Sequence, residues 1–293
     1  MDNTGSLLAD MRLIKKHNFK EITGYQLGWS IVGPPLMTVY CYVFDDIMLD
    51  TALGHMRQEA LQIASEHDIR RIFLTHHHED HSGNVHSIRQ TLKTTVYGHP
   101  ITKEKLSASF KILPYQKLLW GKAEPSNIEI LPEKIDTTLG IMTPIHTPGH
   151  SKDHTVYFIK DAGVLFSGDI YLADKIKIFR SDENIRVQIE SLKKILALDF
   201  DVLLCCHSPK HKDGKKHIYR KLNFLEDFYG NIIHLYEQGL SEKQIFRSLN
   251  LKEDYFKKIF CFGNISMLNG VRSAIRYYKT SEDAGHPVRP DNR

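Results

Sequence analysis

The sequence predicts an α/β chain: strands with interspersed helices up to about residue 210, followed by a stretch that is helical only. Three observations predict it. Short β-branched and aromatic runs recur with turn residues between them. Apolar residues at three- and four-residue spacing separate several of those runs. From about residue 215 the strand pattern stops and helical spacing alone continues. With 293 residues, 41% of them hydrophobic and 25% charged, the chain is long enough to bury a sizeable core.

Met37–Phe44 is β-branched and aromatic, and a second strand over 47–50 follows an Asp45-Asp46 turn. Met56, Ala60, Leu61, Ile63 and Ala64 recur as one helix face over 56–66. Arg71–Thr75 reads as a short buried strand. A helix over 81–92 presents Val85, Ile88 and Leu92, and a strand over 94–97 follows. The stretch 101–126 is apolar and irregular. Strands resume at 128–131, 140–146, 154–159 and 164–167. Glu183–Leu198 is an amphipathic helix through Ile185, Ile189, Leu192 and Ile195, and 201–206 is the last strand. Beyond it, 219–240 is a helix ending at Gly239. Ser241 with Gln244 forms a capping box for the next helix, and a helix pair covers roughly 252–278. The expected organisation is a catalytic domain over 1–212, a helical cap over 213–280 and a disordered tail over 281–293.

Composition excludes several classes. No run of eighteen apolar residues occurs, so no membrane span is expected. The first residues, MDNTGSLLADMRLIKKH, are too polar for a secretory signal. Cys41, Cys205, Cys206 and Cys261 are too few and too scattered for a disulfide framework. The expectation is a cytoplasmic protein with free thiols. A net charge of +4 permits an anionic substrate without demanding nucleic acid.

The unusual feature is histidine: seventeen in all, four of them within His76-His77-His78-Glu79-Asp80-His81. The cluster follows a predicted buried strand. A loop at a strand end can aim side chains at i and i+2 towards one point, and neutral imidazoles with a carboxylate suit zinc or iron. Three more strand ends offer ligands: His150 at the tip of a Thr-Pro-Gly-His turn, Asp169 in Ser-Gly-Asp, and His207 after Cys205-Cys206.

This set, in this order and at these intervals, resembles the metallo-β-lactamase-fold hydrolase superfamily over roughly residues 20–210. The resemblance implies an αββα four-layer sandwich, here with the helical appendage. It also implies a binuclear centre with two zinc ions, for which iron or manganese can substitute. By correspondence, His76, His78 and His150 hold the first ion, Asp80, His81 and His207 the second, and Asp169 bridges both. Asp50 resembles the early Asp that supports the ligands, although the glycine usual two residues later is Ala52 here. Two such cations acidify a water and polarise a substrate oxygen, and Asp80 is the candidate catalytic acceptor for the proton.

Subfamily departures narrow the substrate. Class B β-lactamases have Cys where this chain has Asp169. Lactonases carry Tyr three residues after the bridging Asp, whereas Leu172 stands there and Tyr171 falls one short. Glyoxalase-II thioesterases share the ligands and a helical appendage, without the sequence seen here over 170–180. Apolar stretches at 29–37 and 110–120 suit an acyl pocket, with Trp29, Trp120, Tyr171 and Arg180 as candidate lining. The expected partner is therefore a small acyl ester, thioester or lactone, with no membrane partner. The alternative is a phosphodiesterase or RNase-type hydrolase whose C-terminal helices bind nucleic acid. Balanced charge over 226–254 favours a cap over that role.

Overall fold

The computed structural model describes residues 11–283, apart from the side chains of 281–283. The chain divides into two compact units. The first comprises the chain up to His146, Asp153–Asp169 and Phe200–Lys212; the second comprises Thr147–Lys152, Ile170–Asp199 and the chain from Asp213 on.

The first unit is built on two sheets. Strands β1 (Arg12–Phe19), β2 (Ile22–Trp29), β3 (Val39–Phe44), β4 (Ile47–Leu49), β5 (Arg71–Phe73), β6 (Thr95–Gly98) and β7 (Glu129–Ile130) form the larger sheet in sequence order. Pairing is antiparallel from β1 to β4 and parallel from β4 to β7. The other sheet has the order β13-β11-β10-β9-β8, from β8 (Ile135–Thr137), β9 (Gly140–His146), β10 (Thr155–Ile159), β11 (Val164–Gly168) and β13 (Val202–Cys205). Its β11–β13 pair is parallel and the rest antiparallel.

Side chains from both sheets share one core. Tyr42, Phe44, Leu49 and Phe73 of the larger sheet pack with Met142, Tyr157, Phe166 and Leu204 of the smaller. The opposite face of the larger sheet is covered by helices α1 (Arg57–Glu66) and α3 (Val85–Leu92), whose Ala60, Ile63, Val85 and Ile88 meet Leu27, Val39, Cys41 and Ile72. Each such side chain, taken fully out of water, contributes roughly 1.5–3 kcal/mol. Strands buried on both faces, such as β3, β10 and β11, read as continuous apolar runs for this reason.

Short strands β8, β12 (Phe179–Arg180) and β14 (Ile265–Ser266) were not foreseen, and three larger departures from the sequence reading stand out. The β1–β2 hairpin was not foreseen: β1 reads RLIKKHNF and is mostly exposed, as a charged edge strand is. The helix over 81–92 is two pieces, α2 (Glu79–Ser82) and α3, broken at Gly83. The irregular stretch contains α4 (Pro100–Leu106) and α5 (Pro114–Trp120), each opened by proline at its first position. Seven residues are too few to display a periodicity.

The second unit holds α6 (Ile185–Leu196), α7 (Gly214–Glu237), α8 (Glu242–Ser248), α9 (Tyr255–Phe260) and α10 (Met267–Asp283). Strand β12 (Phe179–Arg180) pairs antiparallel with β14 (Ile265–Ser266). Asn184 caps α6 by accepting from Val187 N at 3.1 Å, and the Ser241–Gln244 capping box is present at α8. Helix α10 continues through 281–283; the rest of the expected disordered tail lies outside the described residues. All four cysteines are free and buried. No helix among the described residues is long and apolar enough to cross a membrane.

Candidate metal centre

Parallel strands place their C-terminal ends on one side of a sheet, so loops leaving them converge there. The loop after β5 carries Thr75, His76 and His78 and leads into α2, which carries Asp80 and His81. Asp169 follows β11, and His207 follows β13. In the first unit these three strand-end segments bring the buried Asp80, His81 and Asp169 and the partly buried His207 into one group.

The spacing within the group is diagnostic. His81 Nε2 lies 3.4 Å from Asp169 Oδ2 and 3.7 Å from Asp80 Oδ2. His207 Nε2 lies 3.4 Å from Asp169 Oδ1 and 3.7 Å from Asp80 Oδ2. These separations exceed good hydrogen bonds, which end at about 3.2 Å. They match ligand-to-ligand edges of about 3.3 Å around a tetrahedral ion with bonds of about 2.0–2.1 Å. The His81 Nε2 atom is buried and has no hydrogen-bond partner among the described residues. An imidazole nitrogen left so in the interior is costly unless a cation takes its lone pair. The donor set is that of a divalent-cation site.

The supporting hydrogen bonds select the nitrogen each ring presents. Asp50 is 1% exposed and accepts from Thr75 N, Thr75 Oγ1 and His81 Nδ1, each at 2.8 Å. Cys206 Sγ adds a fourth contact at 3.3 Å. A carboxylate can only accept, so His81 carries its proton on Nδ1 and turns the Nε2 lone pair to the cluster. His207 Nδ1 donates to the Thr38 carbonyl at 2.8 Å, with the same result. Because the Thr75 hydroxyl proton goes to Asp50, its oxygen accepts from His76 Nδ1 at 3.0 Å. His76 Nε2 then faces His78 Nδ1 at 2.7 Å.

Charge follows geometry. Without an ion, burial opposes a charged His81 ring, but Asp169, Asp80 and Asp50 outweigh it and hold the imidazole well above its ordinary value, so a cation at Nε2 would displace a proton. Burial likewise opposes the Asp169 carboxylate, and His81 with His207 hold it well below the usual range. Burial pushes the Cys205 thiol up to about 11 and the Cys41 thiol to about 12. Neither is a thiolate at neutral pH.

Two glycines fix local paths. Gly168, before Asp169, has φ +47°, and a Cβ there would lie 2.6 Å from His154 Nε2. His154 Nε2 in turn accepts from Asp169 N at 3.0 Å. Gly149 of the Pro-Gly turn has φ +132°, and a Cβ would lie 2.6 Å from Gln188 N. Ala52 has φ +58°, a left-handed conformation that costs an L-residue roughly 1–2 kcal/mol. A glycine there would carry no such cost, yet the path is kept with alanine.

His150 lies in the second unit, where its Nδ1 faces Glu183 Oε1 at 2.9 Å. Trp120 is 8% exposed and belongs to the core between the larger sheet and its helices. Trp29 is half-buried and packs on His55, ring centroids 4.0 Å apart. The Tyr171 hydroxyl donates to Asp174 Oδ1 at 2.7 Å, and Arg180 pairs with Asp182 at 3.1 Å. Sequence reasoning passed over Thr75, Asp153 and Glu183. Asp153 accepts from His77 N at 2.9 Å and from Thr102 Oγ1 at 2.7 Å, and so ties down the loop that carries the histidines.

Residues 35–207 match the metallo-beta-lactamase superfamily, more than half of the chain. The chain belongs to that superfamily. A hydroxyacylglutathione hydrolase of Salmonella gallinarum is 35% identical over 137 residues, 46% of each chain. One from Bartonella henselae is 29% identical over 177 residues, 60% of this chain and 58% of its own. The chain thus spans about half the length of the curated relatives it matches. Over nearly its whole length it superposes on a beta-lactamase domain protein from Burkholderia ambifaria. That match has a TM-score of 0.68 at 16% identity and covers 94% of this chain and 91% of the other. The metallo-β-lactamase fold expected from the motifs is the fold observed.

Proposed function

We propose that the protein is a binuclear zinc hydrolase of acyl thioesters, esters or lactones. By motif correspondence His76, His78 and His150 are the ligands of the first ion, Asp80, His81 and His207 those of the second, and Asp169 the bridge. The observation that carries the reading is the set of 3.4–3.7 Å separations among Asp80, His81, Asp169 and His207, with His81 Nε2 buried and, among the described residues, without a hydrogen-bond partner. When bound, such ions polarise a scissile carbonyl and acidify a water. The chain's own part is to orient and to move the proton. Asp50 and the Thr38 carbonyl fix the His81 and His207 rings, and Asp80 Oδ2 stands beside both rings to accept the proton of the attacking water.

Two features support an acyl substrate. The curated relatives are hydrolases of hydroxyacylglutathione, a thioester. The loop between β2 and β3 exposes Ile31, Val32, Leu36 and Met37, and it ends at Thr38, whose carbonyl holds His207. An apolar platform beside a metal ligand suits an acyl chain better than a phosphodiester. Three basic residues of the C-terminal helices have acidic partners: Lys257 with Asp254, Lys258 with Glu253, and Arg272 with Glu242. Such pairs weaken the case for a nucleic-acid surface.

The test is a substrate panel on metal-loaded protein, with acyl thioesters, lactones and bis-(p-nitrophenyl) phosphate. The expected result is kcat/KM for the best thioester or lactone at least about tenfold above the phosphodiester, or about 1.4 kcal/mol of barrier. A phosphodiester preference would overturn the reading.

A further inference from the structure

No residue of helix α9, in the second unit, is buried. Six residues do not hold a helix in water by themselves, so its ends must fix it. Asp254 caps the first turn by accepting from Lys257 N at 3.0 Å. Glu253, just before the cap, accepts from Ser266 Oγ and from Met267 N at 3.2 Å, which ties α9 to the start of α10. At the other end Phe262 and Gly263 are both left-handed, with φ +53° and +75°, and Asn269 Nδ2 donates to the Gly263 carbonyl at 3.1 Å. A left-handed helix end usually takes glycine or asparagine, and phenylalanine is strained there.

What this frame presents to water is apolar. Tyr255 is 69% exposed, Phe256 79%, Ile259 77% and Phe262 67%. Among the described residues no other Phe, Tyr or Trp is as exposed as these three aromatics. Tyr255, Phe256 and Ile259 share one side of the helix by their spacing. At about 200 Å² for such a side chain, the four together leave about 600 Å² in water, as much as the largest patch on a typical monomer. Folding alone gives no reason to keep a strained phenylalanine at this surface.

We infer that the α9 patch docks a second copy of this chain about a two-fold axis. A two-fold contact uses the same patch twice, so about 1,200 Å² is covered, the lower end for a specific interface. Charge selects the occupant. Lys257 pairs with Asp254 and Lys258 with Glu253, both at 3.1 Å, so the patch meets its own copy without like-charge repulsion. An anionic membrane would call for a cluster of about 4–8 basic residues beside the apolar face. Over 250–262 Lys252 alone lacks an ion pair among the described residues.

Sedimentation velocity on the metal-loaded full chain, from about 1 to 200 μM, reads the association. The expected result is a monomer–dimer equilibrium with Kd about 10 μM, at the weak end for an interface of this size. Phe256→Glu and Ile259→Glu replace side chains that are 79% and 77% exposed. Each should weaken the dimer at least about tenfold, with the melting temperature of the dilute protein unchanged. Val32→Glu, in the exposed loop between β2 and β3, should leave the dimer intact. A chain that stays monomeric throughout, a dimer that survives both α9 variants, or one lost with Val32→Glu would each overturn the inference. Vesicles of phosphatidylcholine and phosphatidylglycerol test the lipid alternative: co-sedimentation of a chain that is monomeric in solution, lost in Ile259→Glu, would give the patch to a membrane instead. None of these readouts depends on the substrate.

Discussion

Asp50→Asn isolates the claim that a supporting carboxylate decides which nitrogen His81 offers. In the native site Asp50 accepts three hydrogen bonds at 2.8 Å, two from Thr75 and one from His81 Nδ1. Asparagine keeps the shape and one oxygen, which still accepts from Thr75 N. The new NH₂ group faces Thr75 Oγ1 and His81 Nδ1, and it can only donate. His81 must then present Nδ1 as an acceptor and carry its proton on Nε2, the atom 3.4 Å from Asp169. The stability cost is one or two mismatched buried hydrogen bonds, about 1–3 kcal/mol. In a chain of this size that lowers Tm by roughly 2–10 °C. The cost to metal binding is larger in consequence: supporting partners of this kind contribute about 10–100-fold in affinity. The assay is metal content by plasma mass spectrometry after dialysis against a graded chelator. The variant should lose its first equivalent of metal at a chelator concentration about 10–100-fold lower than the parent does, while the second equivalent leaves at an unchanged concentration. A folded Asp50→Asn protein with the parent's chelator profile would refute the reasoning, because His81 would then not depend on Asp50 for its tautomer.

Three further perturbations have signed outcomes. Asp169→Asn removes the carboxylate that both His81 and His207 face at 3.4 Å; metal content should fall by about one ion per chain and acyl turnover by at least about 100-fold, and full activity would remove Asp169 from the ligand set. Trp120→Ala empties a core position that is 8% exposed and should cost about 3–5 kcal/mol in a denaturant titration; a loss below 1 kcal/mol accompanied by a raised KM for long acyl chains would move Trp120 to a pocket wall. Hydrogen bonds from Arg71 hold the Asp46 carboxyl below its ordinary value, with burial opposing. A depressed carboxyl contributes stability above its unfolded value, near pH 4, and loses it as pH falls through the folded value. Asp46→Asn should therefore cost up to about 1 kcal/mol at pH 7 in the chelated protein, a partly exposed pair being worth no more. The difference from the parent should close once pH has fallen through the folded value, and one that persists in acid would assign the effect to packing.

The parts of the fold visible in the sequence were those whose signal is local. Strands β3, β10 and β11 are buried on both faces and read as unbroken apolar runs. Helix α6 shows its stripe over twelve residues, although its start, capped by Asn184, lies two residues after the expected Glu183. Strand β1 gave no such signal: an edge strand with one mostly solvated face has little reason to alternate, and its RLIKKHNF sequence is set by avoiding pairing with other chains. Helices α4 and α5 last seven residues each and are stabilised by tertiary packing, as at Leu106 and Trp120, more than by any periodicity.

The site divides along the same line, and the division has a chemical meaning. The proposed ligands are legible locally: His76, His78, Asp80 and His81 lie on one loop and one short helix, and each of the others stands at the tip of a turn or a strand. Which nitrogen each ring offers is not local. His207 is set by the Thr38 carbonyl 169 residues away, His81 by Asp50 at 31 residues, and His150 by Glu183 at 33. None of these partners is marked by a motif, since a backbone carbonyl or a buried carboxylate serves equally and only its position matters. In all three rings the acceptor meets Nδ1 and leaves Nε2 as the presented lone pair. A histidine without that acceptor would populate both tautomers and offer the right atom only part of the time. On the proposed assignment, the acceptors convert a cluster of imidazoles into a set of fixed ligands, and a chain that kept every motif histidine but moved Asp50, Glu183 or the Thr38 carbonyl is expected to bind metal more weakly.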